Sequence, residues 1–590
     1  MCGIVGYIGH KEALPILLSS LERVTYRGYD SYGVAVLNGH GIEVFKKVGA
    51  VDVVRADIPF KGSTGIGHTR WATVGAVSER NAHPHFDCTK QIALVHNGDI
   101  DNHRDLRERL AVQGHTFTSE TDSEVIAHLI EQKLSEGAEL VEGVEAATGE
   151  LEGSYAIVVL EQTTGRMVVA RRGSPVVIGL GDGETYVASD APAILPYTHR
   201  VIYPEDGDVA LVTTAGVDMR HNGSKVSRLV RTIDWDVSQI EKGGYEHFML
   251  KEIFEQPQAI RDTFTAYPAG LPRLPVENPD HVVFAACGTS LHAGLVGEYL
   301  MAGNGKFAVS TVVASEMAVV PFNRPSAGLV IAISQSGETA DTIAGMNGLS
   351  EAGFKTLAVT NVRHSSIARL ANGVIYTTAG PEVAVASTKT FTTQLVIMAM
   401  LAARLMDGTE RAKSLREAIR TLPNKVQQTL ELADEFKSAG EDLARFNNMF
   451  IIGKGQTRPV MLEAALKFKE ISYVHAEGVP AGELKHGPFA LLEANTPVLA
   501  LVADDAHKMR MLTTLREIKA RNSPIYVLTD ASMRDVEDVA TRVIILPKVE
   551  AGLAAAVFTV ASQLMSYYCG RAKNLPIDRP RNLAKSVTVP

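Results

Sequence analysis

"HVVFAACGTS" at residues 281–290 and "NNMFIIGKGQT" at residues 447–457 follow one pattern, an apolar strand ending in a glycine loop before a helical stretch. The likeness continues downstream. "GLVIAIS" (328–334) matches "TPVLALV" (496–502), "LAVTN" (357–361) matches "YVLTD" (526–530), and "VIYT" (374–377) matches "VIIL" (543–546), all at offsets of about 166 to 169 residues. A constant offset over four strands predicts two copies of one α/β unit. Strand and helix signals alternate in each copy, the pattern of parallel sheets covered by helices. A polar-faced helical stretch, "KSLREAIRTLPNKVQQTLELADEFKSAGEDLARF", joins the copies.

The region ahead of the repeat reads differently. Within residues 1–225, "CGIVGYIG", "YGVAVL", "QIALVHNGDI", "SYAIVVLE", "RMVVARRG" and "PVVIGLGDG" are short β-branched runs separated by glycine and polar turns. One helical pattern, "SETDSEVIAHLIEQKLSEGA", interrupts them, and its start at Ser119-Glu120-Thr121-Asp122 predicts a capped N-terminus. A domain of sheets with helices packed outside them is expected. Residues 226–246, polar and carrying Gly243-Gly244, are expected to be a linker to the repeated region at 247–590.

Composition excludes several classes. At 590 residues the chain is too long for one core. Apolar residues make up 45% and charged residues 21%, as in soluble globular proteins. Net charge is −9 and no Lys/Arg run forms a basic stripe, which argues against nucleic acid or an anionic membrane as partner. Four scattered cysteines (Cys2, Cys88, Cys287, Cys569) argue against a disulfide scaffold and a cysteine-built zinc site, and suit a reducing cytoplasm. No secretory signal pattern opens the chain. The uncharged stretch Ala551–Gly570 contains Gln563, two serines and two tyrosines, and is expected to be a buried helix rather than a membrane span.

Several residue clusters point to chemistry. A thiol is mostly protonated at neutral pH and needs a base. If Met1 is cleaved, the α-amine of Cys2, with an ordinary pKa near 7.7–8.0, is close enough to take the thiol proton. A lone Met-Cys start would otherwise be an incidental small residue. "HTRWATVG" (68–75), "NAHPH" (81–85) and "HNGDIDN" (96–102) are polar clusters at strand ends. There Asn97 and Gly98 could serve a developing oxyanion, Arg70 a carboxylate, and Asp122 an ammonium. Singly, each also reads as a turn residue or surface ion pair. In "VIAISQSGETADT" (330–342), a strand runs into a hydroxyl-rich loop and a helix start. Backbone N–H groups there, with Ser334, Ser336 and Thr339, could cradle a phosphate, or one serine could simply cap the helix. No Walker-type loop and no GxGxxG after a strand points to a nucleotide. Lys467 and Glu470 are spaced i, i+3 on a helix and read either as acid and base or as an exposed ion pair. His486 lies in a Gly/Pro-bounded loop suited to a proton shuttle. Lys585 raises the question of a docked tail rather than a frayed one.

Taken together, "CGIVGYIG", "YRGYDS", "HTRWAT", "HNGDIDN", "SETDSEV", "CGTS", "SQSGETADT", "VASTKTFTTQL", "KEISYVHAE", "GELKHGP" and "PRNLAKSVTV" resemble the glucosamine-6-phosphate synthase family over nearly the whole chain. The resemblance implies an N-terminal Ntn-hydrolase αββα glutaminase sandwich with an N-terminal cysteine. Two tandem flavodoxin-like SIS domains, at about 273–412 and 440–580, and a catalytic tail at 581–590 would follow it. It implies L-glutamine and fructose 6-phosphate as substrates, ammonia passing between two sites, glucosamine 6-phosphate as product for amino-sugar synthesis, and a cytoplasmic homodimer with no cofactor and no metal.

By motif, Cys2 would be the nucleophile, Asn97 and Gly98 the oxyanion hole, and Arg70, Trp71, Thr73, His83 and Asp122 the glutamine site, with Trp71 gating the ammonia channel. Ser334, Gln335, Ser336 and Thr339 would hold the phosphate, while Thr289, Ser290, Val385, Ser387 and Ala584 line the sugar. His486 of a partner subunit would open the ring, Lys585 would form the Schiff base, and Glu470, assisted by Lys467, would move the proton between C1 and C2. Val74 stands where many members carry histidine, and altered glutamine affinity is expected. Val479-Pro480 is a second departure. Asparagine synthesis would call for an SGGxDS-type loop, which is missing. A sugar-phosphate-sensing regulator would not need Cys2, His486 or Lys585.

Overall fold

The computed structural model describes residues 2–51, 58–233, 241–319, 325–530, 534–550 and 552–588. The chain divides into two compact units, residues 1–240 with 586–590 and residues 241–585.

In the first unit, an eight-stranded and a seven-stranded sheet, both antiparallel, follow from period-two alternation. Strands β1 (Gly3–Ile8) and β2 (Thr64–Arg70) lie side by side in the larger sheet, and β3 (Ile92–Ile100) lies in the smaller one. Ile4 joins the cluster between the sheets with Ala93 and Val95. Its neighbour Val5 joins Leu14, Leu17 and Leu21 of helix α1 (Ala13–Arg23) on the outer face. On the other side Ile92 and Leu94 pack with Val125 and Leu129 of α2 (Ser123–Ser135) and Val144 of α3 (Leu140–Gly149). Both faces of each sheet are therefore covered, the expected αββα sandwich. Each buried Val, Leu or Ile contributes roughly 1.5–3 kcal/mol relative to an exposed one.

Two expectations need correction here. The expected linker starts inside the first unit, because Arg231–Thr232 adds an edge strand against Arg200–Ile202. Its residues 234–240 lie outside the described residues. The expected capped start of α2 also differs. Asp122 is the N-cap residue but makes no side-chain cap bond. Its carboxylate instead accepts from the Ile100 N–H at 3.0 Å. Glu124 takes up the segment before the helix, accepting from the N–H groups of Thr118 and Ser119 at 2.7 Å each.

The repeat emerges in the second unit as two five-stranded parallel sheets. The first contains β4 (His281–Ala286), β5 (Ala308–Val313), β6 (Gly328–Ile333), β7 (Lys355–Thr360) and β8 (Gly373–Tyr376), in the order β5-β4-β6-β7-β8. The second contains β9 (Asn448–Gly453), β10 (His475–Pro480), β11 (Val498–Val502), β12 (Ile525–Thr529) and β13 (Arg542–Ile545), in the matching order β10-β9-β11-β12-β13. All four expected strand pairs are present. The fifth pair, β5 and β10, went unread because edge strands bury less and carry a weak apolar signal: "AVSTVV" has no buried residue and "HAEGVP" only two. The uncharged C-terminal stretch forms α7 (Ala554–Ala572), buried at nearly every position. Its single amide, Gln563, accepts from Gln256 Nε2 at 2.9 Å and donates to Thr388 O at 3.3 Å, which satisfies it in the core. Among the described residues no helix is long and apolar enough to cross a membrane.

Candidate functional sites

In the first unit the register Gly3 opposite Thr69 sets Cys2 beside the end of β2. The Trp71 N–H points at Cys2 Sγ, 3.2 Å away. From the facing sheet, Asn97 of β3 donates its side-chain amide to Cys2 O at 3.0 Å, and Arg27 Nε donates to the same carbonyl at 3.1 Å. The Cys2 carbonyl is thus held from the facing sheet and from the turn Thr25–Arg27. Enclosure of the sulfur pushes the thiol above its ordinary range, so it cannot ionise without a base. Gly98 adopts φ +130°, and a Cβ added there would lie 2.0 Å from Ser154 O, so only glycine turns its N–H this way.

Arg70 uses its guanidinium to shape the loop that follows, donating to the carbonyls of Val74 (2.6 Å), Gly75 (2.9 Å) and Ala76 (3.2 Å). Burial lowers its pKa, with Cys2, Asp122 and Asp30 acting in the opposite direction. Thr73 Oγ1 donates to Asp99 Oδ1 at 2.9 Å, and Asp30 Oδ2 accepts from the Ala72 N–H at 2.9 Å. His83 takes a different place from an open wall. Its ring is buried and stacked on His68 at 3.9 Å between centroids, and its Nδ1 accepts from the His96 N–H at 3.2 Å. Burial holds His68 down to about 3 and His83 well below its ordinary value, so the stack is neutral. Arg27 and Asp30 were missed as site residues, although they sit in the quoted motif "YRGYDS".

In the second unit, helices that follow strand ends carry the candidates. Thr289 and Ser290 begin α4 (Gly288–Met301), which follows β4. Thr289 Oγ1 donates to Glu463 Oε1 and accepts from Lys467 Nζ, each at 3.2 Å. Glu463, Lys467 and Glu470 lie on α6 (Arg458–Ser472). Lys467 Nζ stands 3.3 Å from Glu463 and 2.6 Å from Glu470. Burial opposes the Lys467 charge, but the two carboxylates outweigh it and hold the ammonium above its ordinary range. The pair is therefore buried at the lysine end, unlike an exposed surface ion pair. His292 Nδ1 completes the cluster at 2.7 Å from Glu463 Oε2. Glu470 also lines an open cleft of about 400 Å³ with Tyr473, His475 and the tail residues Arg581–Leu583.

The tail is docked. Lys585 Nζ donates to Glu382 Oε2, with the lysine side chain only 4% exposed and the glutamate 0%. Glu382 also accepts from the Thr388 N–H (2.9 Å), the Thr390 N–H (3.1 Å) and Thr390 Oγ1 (2.7 Å). Burial works against its charge, but Lys585 and these donors prevail and hold Glu382 down at about 2. Burial and the Glu382 charge push neighbouring Glu252 up to about 8. Ser387 Oγ shares a 2.5 Å hydrogen bond with Thr390 Oγ1, and Val385 N donates to Asp578 O at 3.1 Å. Ser290 Oγ accepts from Gln394 of α5 (Lys389–Leu405) at 3.0 Å.

The hydroxyl loop sits at the carboxyl end of β6. Ser334 Oγ and Thr339 Oγ1 lie 2.9 Å apart, Gly337 N donates to Ser334 Oγ at 3.0 Å, and the Asn361 N–H holds Gln335 O at 3.1 Å. Thr339 is the N-cap residue of the next helix, Ala340–Glu351, and makes no side-chain cap bond, so its hydroxyl is not consumed as a cap. Gly337 has φ +66°, and an added Cβ would lie 2.1 Å from Ser365 Oγ. His486, by contrast, is exposed on a 3₁₀ turn, Glu483–His486, and no hydrogen bond between described residues joins it to Glu470 or Lys467. Glu382, Glu463, Glu252 and His292 were missed in the sequence; nothing in their spacing sets them apart from surface charges.

Comparison with known proteins agrees with this division. A SIS domain model matches residues 276–404 and 442–569, and a glutamine amidotransferase domain model matches residues 68–196. A protein named glutamine–fructose-6-phosphate aminotransferase [isomerizing] from Symbiobacterium thermophilum is 44% identical over 610 aligned positions, covering all of both chains. One of the same name from Methanosarcina mazei is 43% identical over 623 positions, again covering both completely. The solved C-terminal domain of glucosamine-fructose-6-phosphate aminotransferase from Francisella tularensis matches with TM-score 0.55 and 34% identity, over 58% of this chain and 100% of that one.

Proposed function

Because the chain belongs to the glutamine–fructose-6-phosphate aminotransferase (isomerizing) family, we propose that it moves the amide nitrogen of L-glutamine to fructose 6-phosphate and isomerises the product to glucosamine 6-phosphate. Removal of Met1 frees the amine of Cys2, which takes the proton that the enclosed sulfur does not shed alone. Cys2 Sγ then attacks the amide carbon of glutamine. The C–N bond breaks, ammonia leaves with the transferred proton, and water hydrolyses the γ-glutamyl thioester to glutamate. A primary amide has two hydrogens, so Asn97 can hold Cys2 O with one and meet the oxyanion with the other, beside the Gly98 N–H. Guanidinium has five N–H donors, so Arg70 keeps some for the substrate carboxylate while it shapes residues 74–76. Asp122 meets the substrate ammonium, and Trp71 gates the passage of ammonia, which stays a nucleophile only where water is excluded.

At the second site, the N–H groups and hydroxyls of Ser334–Thr339 bind the phosphate. Lys585 attacks C2 of the opened ketose, expels water as it forms a Schiff base, and is then replaced by ammonia. Glu470 moves a proton from C1 to C2 with Lys467 steadying its carboxylate, and Thr289, Ser290, Val385, Ser387 and Ala584 line the sugar. His486 acts across a homodimer, a reading supported by its exposure on the turn Glu483–His486. The observation that carries most of this reading is the meeting of Cys2 with Trp71 and Asn97 from two facing sheets.

The test is a pair of variants. Cys2→Ala is expected to end glutamine-dependent synthesis but spare synthesis from added ammonia. Lys585→Ala is expected to end both while glutamine hydrolysis continues. Loss of ammonia-dependent synthesis in a folded Cys2→Ala protein would sink the two-site scheme.

A further inference from the structure

The turn before β3, the segment after the helix His103–Val112, and α2 bring four donor side chains to one point: Cys88, His115, His128 and Glu131. One atom from each lies within 4.8 Å of all the others. Cys88 Sγ is 3.7 Å from His115 Nδ1 and 3.4 Å from His128 Nδ1. Glu131 Oε2 is 2.8 Å from His115 Nδ1 and 3.2 Å from His128 Nδ1. Tetrahedral zinc holds sulfur at about 2.3 Å and nitrogen or oxygen at about 2.0–2.2 Å, which sets ligand-to-ligand edges of roughly 3.3–3.6 Å. The four measured edges lie within about half an ångström of that range before any ion contracts or spreads them.

The surroundings orient the donors inward. His115 Nε2 is 3.1 Å from Gln132 Oε1, an acceptor, so with an ion bound the ring proton belongs on Nε2 and the Nδ1 lone pair faces the cluster. His128 is 1% exposed, with its Nε2 3.8 Å from a Glu124 carboxylate oxygen and its Nδ1 turned to the cluster. Without an ion, protons on the Nδ1 atoms bridge to Glu131 Oε2 at 2.8 and 3.2 Å; a metal would displace them and meet two lone pairs, a carboxylate and a sulfur. The Thr116 N–H points at Cys88 Sγ (3.4 Å) and the Cys88 N–H at Glu131 Oε2 (3.2 Å), donors that stabilise a thiolate and a carboxylate.

We propose that Cys88, His115, His128 and Glu131 form a structural site for a divalent, borderline-soft transition metal, zinc foremost. One sulfur, two imidazoles and one carboxylate suit Zn²⁺ better than oxygen-seeking Mg²⁺ or Ca²⁺. Four protein ligands leave no open position, which makes the site structural rather than catalytic. Binding releases the Cys88 thiol proton to solvent. The ion would staple two surface segments to α2, whose N-cap residue is Asp122. The expectation against a cysteine-built zinc site rested on four scattered cysteines, a signal blind to a site using one cysteine.

The test uses the full-length protein, stripped with a chelator and titrated with Co²⁺ and Zn²⁺. One Co²⁺ per chain is expected, with a sulfur-to-cobalt charge-transfer band and intense tetrahedral d–d absorption, both erased by one equivalent of Zn²⁺. Cys2→Ala should keep the bands and Cys88→Ala should lose them. Zinc should also slow alkylation of Cys88 in the unmutated protein at least tenfold, read by peptide mass spectrometry, which needs no folded variant. Absent bands, bands that persist in Cys88→Ala, or an alkylation rate indifferent to zinc would each overturn the site.

Discussion

Replacing Glu382 with glutamine tests whether the tail carrying Lys585 is held by a buried charge. The glutamate is fully buried and accepts from Lys585, Thr388 and Thr390. Its carboxyl is held from an ordinary 4.5 down to about 2, a difference worth about 3 kcal/mol at 1.36 kcal/mol per pH decade. Breaking one side of a buried ion pair costs about 3–5 kcal/mol, so two independent routes agree. That energy lowers the protection of the 382–390 and 581–588 backbone amides about 150-fold in hydrogen exchange. A group whose folded value is depressed stabilises above its unfolded value and loses that contribution as pH falls. The Glu382 contribution to the gap between native protein and Glu382→Gln should therefore be complete near pH 6 and smaller by about 0.8 kcal/mol at pH 4. Loss of the Glu382 charge also lets Glu252 ionise sooner, which narrows the gap as pH rises toward 8. Glucosamine 6-phosphate formation should fall with the protection, and glutamine hydrolysis, which the proposed function assigns to Cys2, should not. Unchanged exchange of the tail, or equal loss of both activities, would refute the reasoning.

Gly98→Ala should lower glutamine hydrolysis about 100-fold while ammonia-dependent synthesis persists, because the added methyl meets Ser154 O and turns an oxyanion donor away; wild-type hydrolysis would remove Gly98 from that role. Val74→His puts the histidine that the family resemblance leads one to expect at a half-buried position in the loop Arg70 holds. One added hydrogen bond of about 1 kcal/mol should lower the KM for glutamine about fivefold without moving ammonia-dependent kcat, and an unchanged KM would show that the contact is made elsewhere.

Much of the fold was legible because strand periodicity and repetition are local properties of a chain. Four strand pairs at a fixed offset announced the doubled parallel unit, and short β-branched runs announced sheets with helices outside them, which the family resemblance sharpened to a sandwich. Where burial was weak, as in Ala308–Val313 and His475–Pro480, the signal vanished with it. The uncharged helix near the C-terminus was read correctly because one glutamine does not prevent burial when a partner meets it. The start of α2 was misread because a distant backbone N–H, that of Ile100, competes for Asp122 better than the helix does.

The amino-acid order by itself determined which residue types stand near strand ends, on one helix face and in the tail, and so the candidates Cys2, Asn97, Ser334, Lys467 and Lys585. Only the tertiary structure decided their partners. Thr289 finds Glu463 across 174 residues and Lys585 finds Glu382 across 203, and such pairs leave no period in the sequence. Cys88 meets His128 for the same reason, since a donor set drawn from three segments exists only once the sheet and helix pack together. Polar contacts of this kind are chosen by burial, where an unpaired charge is too costly to keep, and burial is a property of the folded chain alone.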